Sequence, residues 1–402
     1  MTNGKPTSAH SRRRFLKTAT GAATLAATTL HAPYIMAQPS KVKVGFLLPY
    51  TGTYAKLGTA ITDAFKLHVD EHGGKLGGRA IEYVQVDSEA KPAKATDNTN
   101  RLVNLEKVDV IVGPVHSGVA VAMVRVTRES GTLTIDPNAG AGVVTGALCA
   151  PNVFRTSFSN WQPSYPMGKV LADRGMKKAV TLTWKYAAGQ EAIGGFVENF
   201  TAHGGSIVKD LWVPFPKVEF QSLLTEIASI KPDAVFVFFA GGGAVKLAKD
   251  YVAAGLKERI PLFGSGFLTE GVLKAQGGAG EGLETTLHYG DSLILPKNLA
   301  FREMYNKRYG RYPDVYAVQG YDAAQLLGAG LQAVRGDMGA KKDMIAAMER
   351  AVIDSPRGKF TFSKAHNPVQ DIYLRKAVGL ENKVTGVAHK ALADPATGCT
   401  MA

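Results

Sequence analysis

The sequence predicts an α/β fold made of two doubly wound domains, and three observations carry that prediction. Short apolar runs, among them Val110-Ile-Val-Gly113 and Asp233-Ala-Val-Phe-Val-Phe-Phe239, read as strands buried on both faces. These runs alternate with segments of helical period, the pattern of strand–helix–strand crossovers in a parallel sheet. The chain has 402 residues, long for one core and comfortable for two. A hydrophobic content of 45% and 44 glycines suit a globular α/β protein with many strand–helix turns.

Taken in order, residues 42–49 (VKVGFLLP) give the first strand and 50–58 a Gly/Thr/Tyr-rich loop. A helix spans 60–71, and a turn at 73–78 leads to an alternating strand at 80–87. A helix over 93–106 feeds the strand at 108–113. The segment 114–118 then turns into a helix at 119–129, and 131–137 is the next strand. Two strand–helix units leading into a third strand are how a doubly wound domain begins. After a crossing segment at 154–162 come a helix (163–173), a strand (178–184), a helix (192–203) and a strand (206–212). A helix (220–230) leads to the apolar strand 233–239, and Gly241-Gly-Gly243 opens a helix at 244–254 before a strand at 260–264. This alternation predicts a second domain. Residues 282–289 start the return, followed by helices at 298–309, 315–334 and 341–352. Short strands at 355–363 and 371–378 flank an Asn367-Pro368 turn.

The first 37 residues are of another kind. Lys5, Arg12, Arg13, Arg14 and Lys17 supply five of the thirteen net positive charges, and no acid accompanies them. Ser11-Arg-Arg-Arg-Phe-Leu-Lys17 precedes a weakly apolar stretch, too short for a permanent membrane anchor, that ends near Ala37. This string resembles the twin-arginine export signal, which implies a mature protein in the periplasm. The remainder carries no concentrated basic stripe, which argues against nucleic acid as a partner. In an exported protein Cys149 and Cys399 can pair and pin the C-terminal tail to the body; two free thiols are the alternative, because sequence does not supply their separation.

The chain is organised around residues 108–142. In a parallel sheet, ligands sit at the carboxyl ends of the strands. The loops at those ends, 114–118 and 138–142, bring His116, Ser117, Asn138, Ala139 and several backbone N–H groups together. Ser117 also suits the N-cap of the helix that follows, and Asn138 suits an Asx turn. Chemistry at this site is not expected. Adjacent side chains such as His116 and Ser117 point apart, no G-x-S-x-G elbow stands between a strand and a helix, and no zinc-type ligand cluster occurs. Gly241–Gly243 has neither the full G-x-G-x-x-G pattern nor a G-K-[ST] ending. The expectation is a binding protein without cofactor or metal.

The order of elements resembles the periplasmic solute-binding proteins of the branched-chain amino acid type, which feed ABC importers. Several stretches carry the likeness: Lys43-Val-Gly-Phe-Leu-Leu-Pro-Tyr-Thr-Gly-Thr-Tyr-Ala55, Val110-Ile-Val-Gly-Pro-Val-His-Ser117, Thr134-Ile-Asp-Pro-Asn-Ala139, Phe154-Arg-Thr156 and the closing segment 359–373. The resemblance implies a type I periplasmic binding protein, with two Rossmann-like lobes joined by a three-crossing hinge. Lobe one would hold 42–158 and 290–365, and lobe two 159–289 and 366–398. It also implies a membrane permease as partner and, for the binding protein itself, a monomer. Presentation of a ligand to a sensory receptor is the other role open to such a fold.

The resemblance places Ser117 at a serine that holds the ligand carboxylate and Gly140 where a threonine would assist it. An acid that holds the ammonium would stand at Gly266. A buried ammonium requires acceptors and preferably a charge partner, so an α-amino acid is disfavoured unless Glu270 or Glu191 substitutes. The carboxylate side keeps Ser117, the amides of the following helix and His116 as a further donor. Tyr54, Trp184, Tyr186, Phe267 and Tyr289 fall on cleft loops, with Trp161 at the hinge, and flat rings favour a flat, mostly apolar solute. The preferred ligand is an aromatic carboxylate, benzoate-like or phenylpropanoid-like. Branched-chain or other aliphatic amino acids, and amides or urea, are the alternatives.

Overall fold

The computed structural model describes residues 41–401, and these form a bilobed α/β protein with two sheets. The expected export signal at 1–37 lies outside the described residues. The first sheet contains β1 (Val42–Leu48), β2 (Lys75–Leu76), β3 (Arg79–Asp87), β4 (Val110–Val112), β5 (Leu133–Asp136) and β6 (Val153–Arg155), in the order β2-β3-β1-β4-β5-β6. All pairs from β3 to β6 are parallel. The second sheet contains β7 (Lys178–Trp184), β8 (Ser206–Val213), β9 (Ala234–Phe238), β10 (Leu262–Ser265), β11 (Glu284–Leu287), β12 (Thr361–Phe362), β13 (Pro368–Val378) and β14 (Glu381–Leu392). Its order is β12-β13-β11-β10-β9-β7-β8, with β14 on the other edge of β13. β8 to β11 are parallel, and β13 turns antiparallel against β11 and β14.

The central strands β4 and β9 are buried throughout, as runs of Val, Ile and Phe covered by helices on both faces must be. The chain passes between the two sheets three times: after β6, after β11, and between helix Lys341–Glu349 and β13. Helix Val315–Ala333 returns to pack along helix Ala55–Glu71. Gly320 permits their close approach, because a Cβ there would lie 2.8 Å from the carbonyl carbon of Ile61.

Several boundaries differ from the sequence reading. The helix expected at 119–129 begins at Ser117. The helices expected from 60 and 192 begin at Ala55 and Ala187, since polar loop-like residues at their starts are accommodated in the first turn. The single helix expected over 93–106 is an α-helix, Pro92–Asn100, that widens into a π turn over Arg101–Leu105. Gly241–Gly243 is the first turn of helix Gly241–Ala253 instead of a loop before it. β14 has no counterpart in the sequence reading: it is an edge strand, half-exposed on both faces, and so shows little apolar alternation. Cys149 and Cys399 are joined in a disulfide with a Cα–Cα distance of 5.6 Å.

Candidate functional site

The loops after β1, β4 and β5 face the loops after β7, β9 and β10 across the cleft, and between them lies a small cavity of about 20 Å³. Tyr54, Ser117, Asn138 and Gly140 line it from the first sheet. Phe158 and Asn160 come from the crossing segment after β6, and Tyr186, Phe238 and Phe267 from the second sheet. Tyr316, near the start of helix Val315–Ala333, completes the wall. The lobes touch directly here. The Tyr54 and Tyr186 hydroxyls are hydrogen-bonded at 3.0 Å.

Ser117 is the first residue of helix Ser117–Ser130, and His116 provides its cap by accepting from the Gly118 N–H at Nδ1, 3.0 Å. The Ser117 hydroxyl is therefore not consumed in capping. Its oxygen accepts from Asn160 Nδ2 at 3.1 Å, which leaves its hydrogen to donate. The same Asn160 nitrogen donates to Glu191 Oε2 at 2.7 Å, and the Glu191 carboxylate also accepts from the Gly142 N–H at 2.9 Å. Burial raises the Glu191 pKa, with the Asn160 and Gly142 hydrogen bonds opposing it. Asn138 gives its Nδ2 to Gln319 Oε1 at 2.7 Å, and Gln319 in turn bonds His288 at 3.1 Å.

Among the described residues no lysine or arginine stands on the cavity wall. Arg155, fully buried behind the β5 loop, is committed to Thr145, Asn367 and the Ala141 carbonyl. The cavity thus offers an anion neutral hydroxyl and amide donors and the amino end of a helix, a combination that suits a carboxylate. Among the described residues no group of His, Cys, Asp and Glu is placed to hold a metal ion.

Five of the ten residues proposed from sequence as ligand contacts reach the cavity: Tyr54, Ser117, Asn138, Tyr186 and Phe267. The other five stand behind the wall. His116 stacks on Tyr186 with ring centroids 4.8 Å apart, and burial lowers its pKa to about 4, so it is a neutral cap and brace and supplies no positive charge. Ala139 is buried, with its N–H donated to Asp136 Oδ1 at 2.7 Å. Trp184 donates Nε1 to the Lys217 carbonyl at 2.7 Å and packs against Phe215 and Phe239, so it supports Tyr54 from behind. Tyr289 turns its hydroxyl to Asn298 at 3.1 Å. Gly266 is packed against Leu287 and Arg375; a Cβ there would stand 2.6 Å from Arg375 Nη2. Trp161, expected at the hinge, does not line the cavity; it donates to Glu198 at 2.8 Å and packs at a tilt on Tyr165.

The two acids that could substitute for one at 266 are both engaged elsewhere. Glu270 is bound to Arg375 Nη1 at 2.7 Å and to the Val315 N–H at 2.7 Å. Glu191 is held by Asn160. Phe158, Asn160, Phe238 and Tyr316 also line the cavity and are not among the residues the sequence points to. Phe158 and Asn160 lie on an irregular crossing segment, Phe238 inside an apolar strand, and Tyr316 within a helix rich in Ala and Leu, so no local pattern marks them.

A family model described as "Periplasmic binding protein" matches residues 41–382. The chain is 31% identical over 343 residues to "Leu/Ile/Val-binding protein homolog 6" of Brucella melitensis biotype 1, covering 83% of this chain and 87% of that protein. It is similar to a crystal structure of an ABC-transporter solute-binding protein from R. palustris in complex with benzoate. That similarity has 55% identity, a TM-score of 0.88, and coverage of 90% of this chain and 100% of that one. A solute-binding protein from Rhodopseudomonas palustris BisB5 in complex with 3,4-dihydroxybenzoic acid is 33% identical. It has a TM-score of 0.84, with 88% of this chain and 99% of that one covered.

Proposed function

Because the chain belongs to the periplasmic binding protein family, we propose that it is the substrate-binding component of an ABC importer and captures a small aromatic carboxylate between its two lobes. It is a binding protein and not an enzyme, and its place is the periplasm, as for the family. We take residues 1–37 as a twin-arginine signal, 42–158 with 290–365 as one lobe and 159–289 with 366–398 as the other. A membrane permease is the partner, and the binding protein acts as a monomer.

One observation carries the choice of ligand. The position where an ammonium would need a carboxylate is Gly266, and Leu287 and Arg375 fill the space around it. Glu270, the nearest acid in sequence, is already neutralised by Arg375. What remains is a cavity walled by the rings of Tyr54, Phe158, Tyr186, Phe238, Phe267 and Tyr316, with hydroxyl and amide donors around Ser117. Aromatic walls favour a flat ring, and the donors favour an anion. The benzoate and dihydroxybenzoate complexes of the similar proteins support this reading.

Titration calorimetry with benzoate, hydroxybenzoates, leucine and isoleucine tests it. The aromatic acids are expected to bind, and to stabilise the protein by about 2.7 kcal/mol at a hundredfold excess over Kd. Leucine bound more tightly than every aromatic acid would overturn it.

A further inference from the structure

We propose that Tyr316 and Asn138 form a subsite that reads a hydroxyl group on the ligand's ring, so that the preferred ligand is a hydroxybenzoate over benzoate itself. This rests on the aromatic-carboxylate reading above and adds the substituent.

Tyr316 is 1% exposed, and among the described residues its hydroxyl has no hydrogen-bond partner although its ring lies on the cavity wall. A buried hydroxyl left without a partner is destabilising, so a ligand group that satisfies it is favoured. The side chain is not free to swing away and find one. Its helix begins at Val315, whose N–H is held by Glu270 at 2.7 Å, and Asp314 caps the Ala317 N–H at 3.0 Å. Its ring stacks on Phe267, centroids 6.2 Å apart. Burial, with Glu270 and Asp314 nearby, raises its pKa well above the ordinary value, which keeps the hydroxyl protonated.

Asn138 lines the same cavity, and its orientation is set from the same helix. Its Nδ2 is bound by Gln319, one turn beyond Tyr316, and Gln319 is itself fixed by His288. Among the described residues the Asn138 side chain makes only the bond to Gln319, which leaves Oδ1, an acceptor, available on the cavity wall. An acceptor repels a carboxylate and welcomes an O–H. The carboxylate belongs at Ser117, where the donors are. A phenolic hydroxyl meets both remaining needs at once: it donates to Asn138 Oδ1 and accepts from Tyr316. Sites built to hydrogen-bond a hydroxyl discriminate against the analogue lacking it, because their own polar groups are left unpaired.

The test is calorimetry of the mature protein with benzoate, 3-hydroxybenzoate and 4-hydroxybenzoate, repeated on Tyr316→Phe. The unmodified protein is expected to bind one of the hydroxybenzoates about tenfold or more tightly than benzoate, a modest discrimination for such a site. Tyr316→Phe, which removes one oxygen and keeps the ring, is expected to abolish most of that preference, the hydroxybenzoate affinity falling toward that for benzoate. Benzoate bound as tightly as both hydroxybenzoates by the unmodified protein overturns the subsite. So does a Tyr316→Phe protein that loses benzoate and hydroxybenzoate affinity equally, since Tyr316 would then serve the carboxylate. Binding of none of the three acids by folded protein would instead remove the aromatic-acid reading beneath it. Should Tyr316→Phe not fold, the order of the three affinities in the unmodified protein decides.

Discussion

Asn160 occupies the space that a side chain at residue 140 would need. A Cβ on Gly140 would stand 2.6 Å from the Asn160 backbone nitrogen and 2.8 Å from its Cγ. The two are also joined directly, the Asn160 N–H donating to the Gly140 carbonyl at 2.7 Å. The glycine therefore belongs to the Asn160 arrangement, in which one amide nitrogen reaches both Ser117 and Glu191.

Gly140→Thr should accordingly fail to add a useful hydroxyl. It should displace Asn160, break its bond to Ser117 and weaken aromatic-acid binding by roughly 10- to 100-fold, the value of one to two misplaced hydrogen bonds in a buried site. Calorimetry checks this, with Asn160→Ala as the parallel case. A Gly140→Thr protein with undiminished affinity would show that Asn160 does not organise the site.

Glu191 makes the site sensitive to pH. Its pKa is raised by burial, and Arg155 on one side lowers it while Asp394 on the other raises it. A carboxylate bound at Ser117 would add a second negative charge across the Asn160 amide and raise it further. Binding should then be accompanied by proton uptake, so affinity rises as pH falls through the window between the pKa of the free protein and that of the complex. The effect on folding has the same sign: a carboxyl raised in the folded state makes that state bind more protons than the unfolded chain, so its stability contribution falls as pH rises through that range. Calorimetry in buffers of different ionisation enthalpy measures the uptake directly. Glu191→Gln, which keeps an acceptor for Asn160, should flatten the pH dependence of Kd; an unchanged dependence would place the titrating group elsewhere.

The division between what the sequence disclosed and what it hid has a physical reason. The strands β4 and β9 and the loops at 114–118 and 138–142 were legible because burial on both faces writes an unbroken apolar run, and such runs end at the cleft. Ser117 and Asn138 followed from that placement. Trp184, the last residue of β7, and Tyr289, just after β11, also stand at strand ends yet face inward, since the direction of a side chain there depends on its neighbours: the Lys217 carbonyl for one, Asn298 for the other. Asn160 and Tyr316 come into the site from a crossing segment and from a helix of the returning chain, far from the organising loops in sequence, and only tertiary packing brings them together. The exchange of His116 and Ser117 between capping and lining has the same origin, because either can cap the helix until Tyr186 stacks on the imidazole.

Restoring an acid at 266 should not create an amino-acid receptor. The backbone there is enclosed by Leu287 and by Arg375, whose Nη2 donates to the Gly266 carbonyl at 2.9 Å. A carboxylate introduced by Gly266→Asp would meet that guanidinium and pair with it in competition with Glu270. The expected outcome is a destabilised protein, by about 1–3 kcal/mol as for overpacked cores, with no measurable leucine binding. Denaturant unfolding and calorimetry give the two readouts. Leucine binding by the variant would show that packing around residue 266 does not set the ligand class.

Gly241 and Gly242 press against Thr53 across the gap between the two lobes. Gly241, at φ +55°, lies so near the Thr53 carbonyl that a Cβ would overlap it, while a Cβ on Gly242 would lie 3.2 Å from the Thr53 hydroxyl. Thr53 precedes Tyr54, whose hydroxyl meets Tyr186 across the same gap. The two contacts make one seam, and closure of a hinged pair of lobes depends on such surfaces meeting without hindrance. Gly241→Ala combines a left-handed residue, which costs about 1–2 kcal/mol, with a steric block at the seam. It should reduce aromatic-acid affinity by at least about tenfold, and it should abolish the ligand-induced decrease in radius of gyration measured by small-angle X-ray scattering. Gly242→Ala, where a small shift of a hydroxyl relieves the contact, should change affinity far less. Equal effects of the two substitutions would mean that the seam does not limit closure.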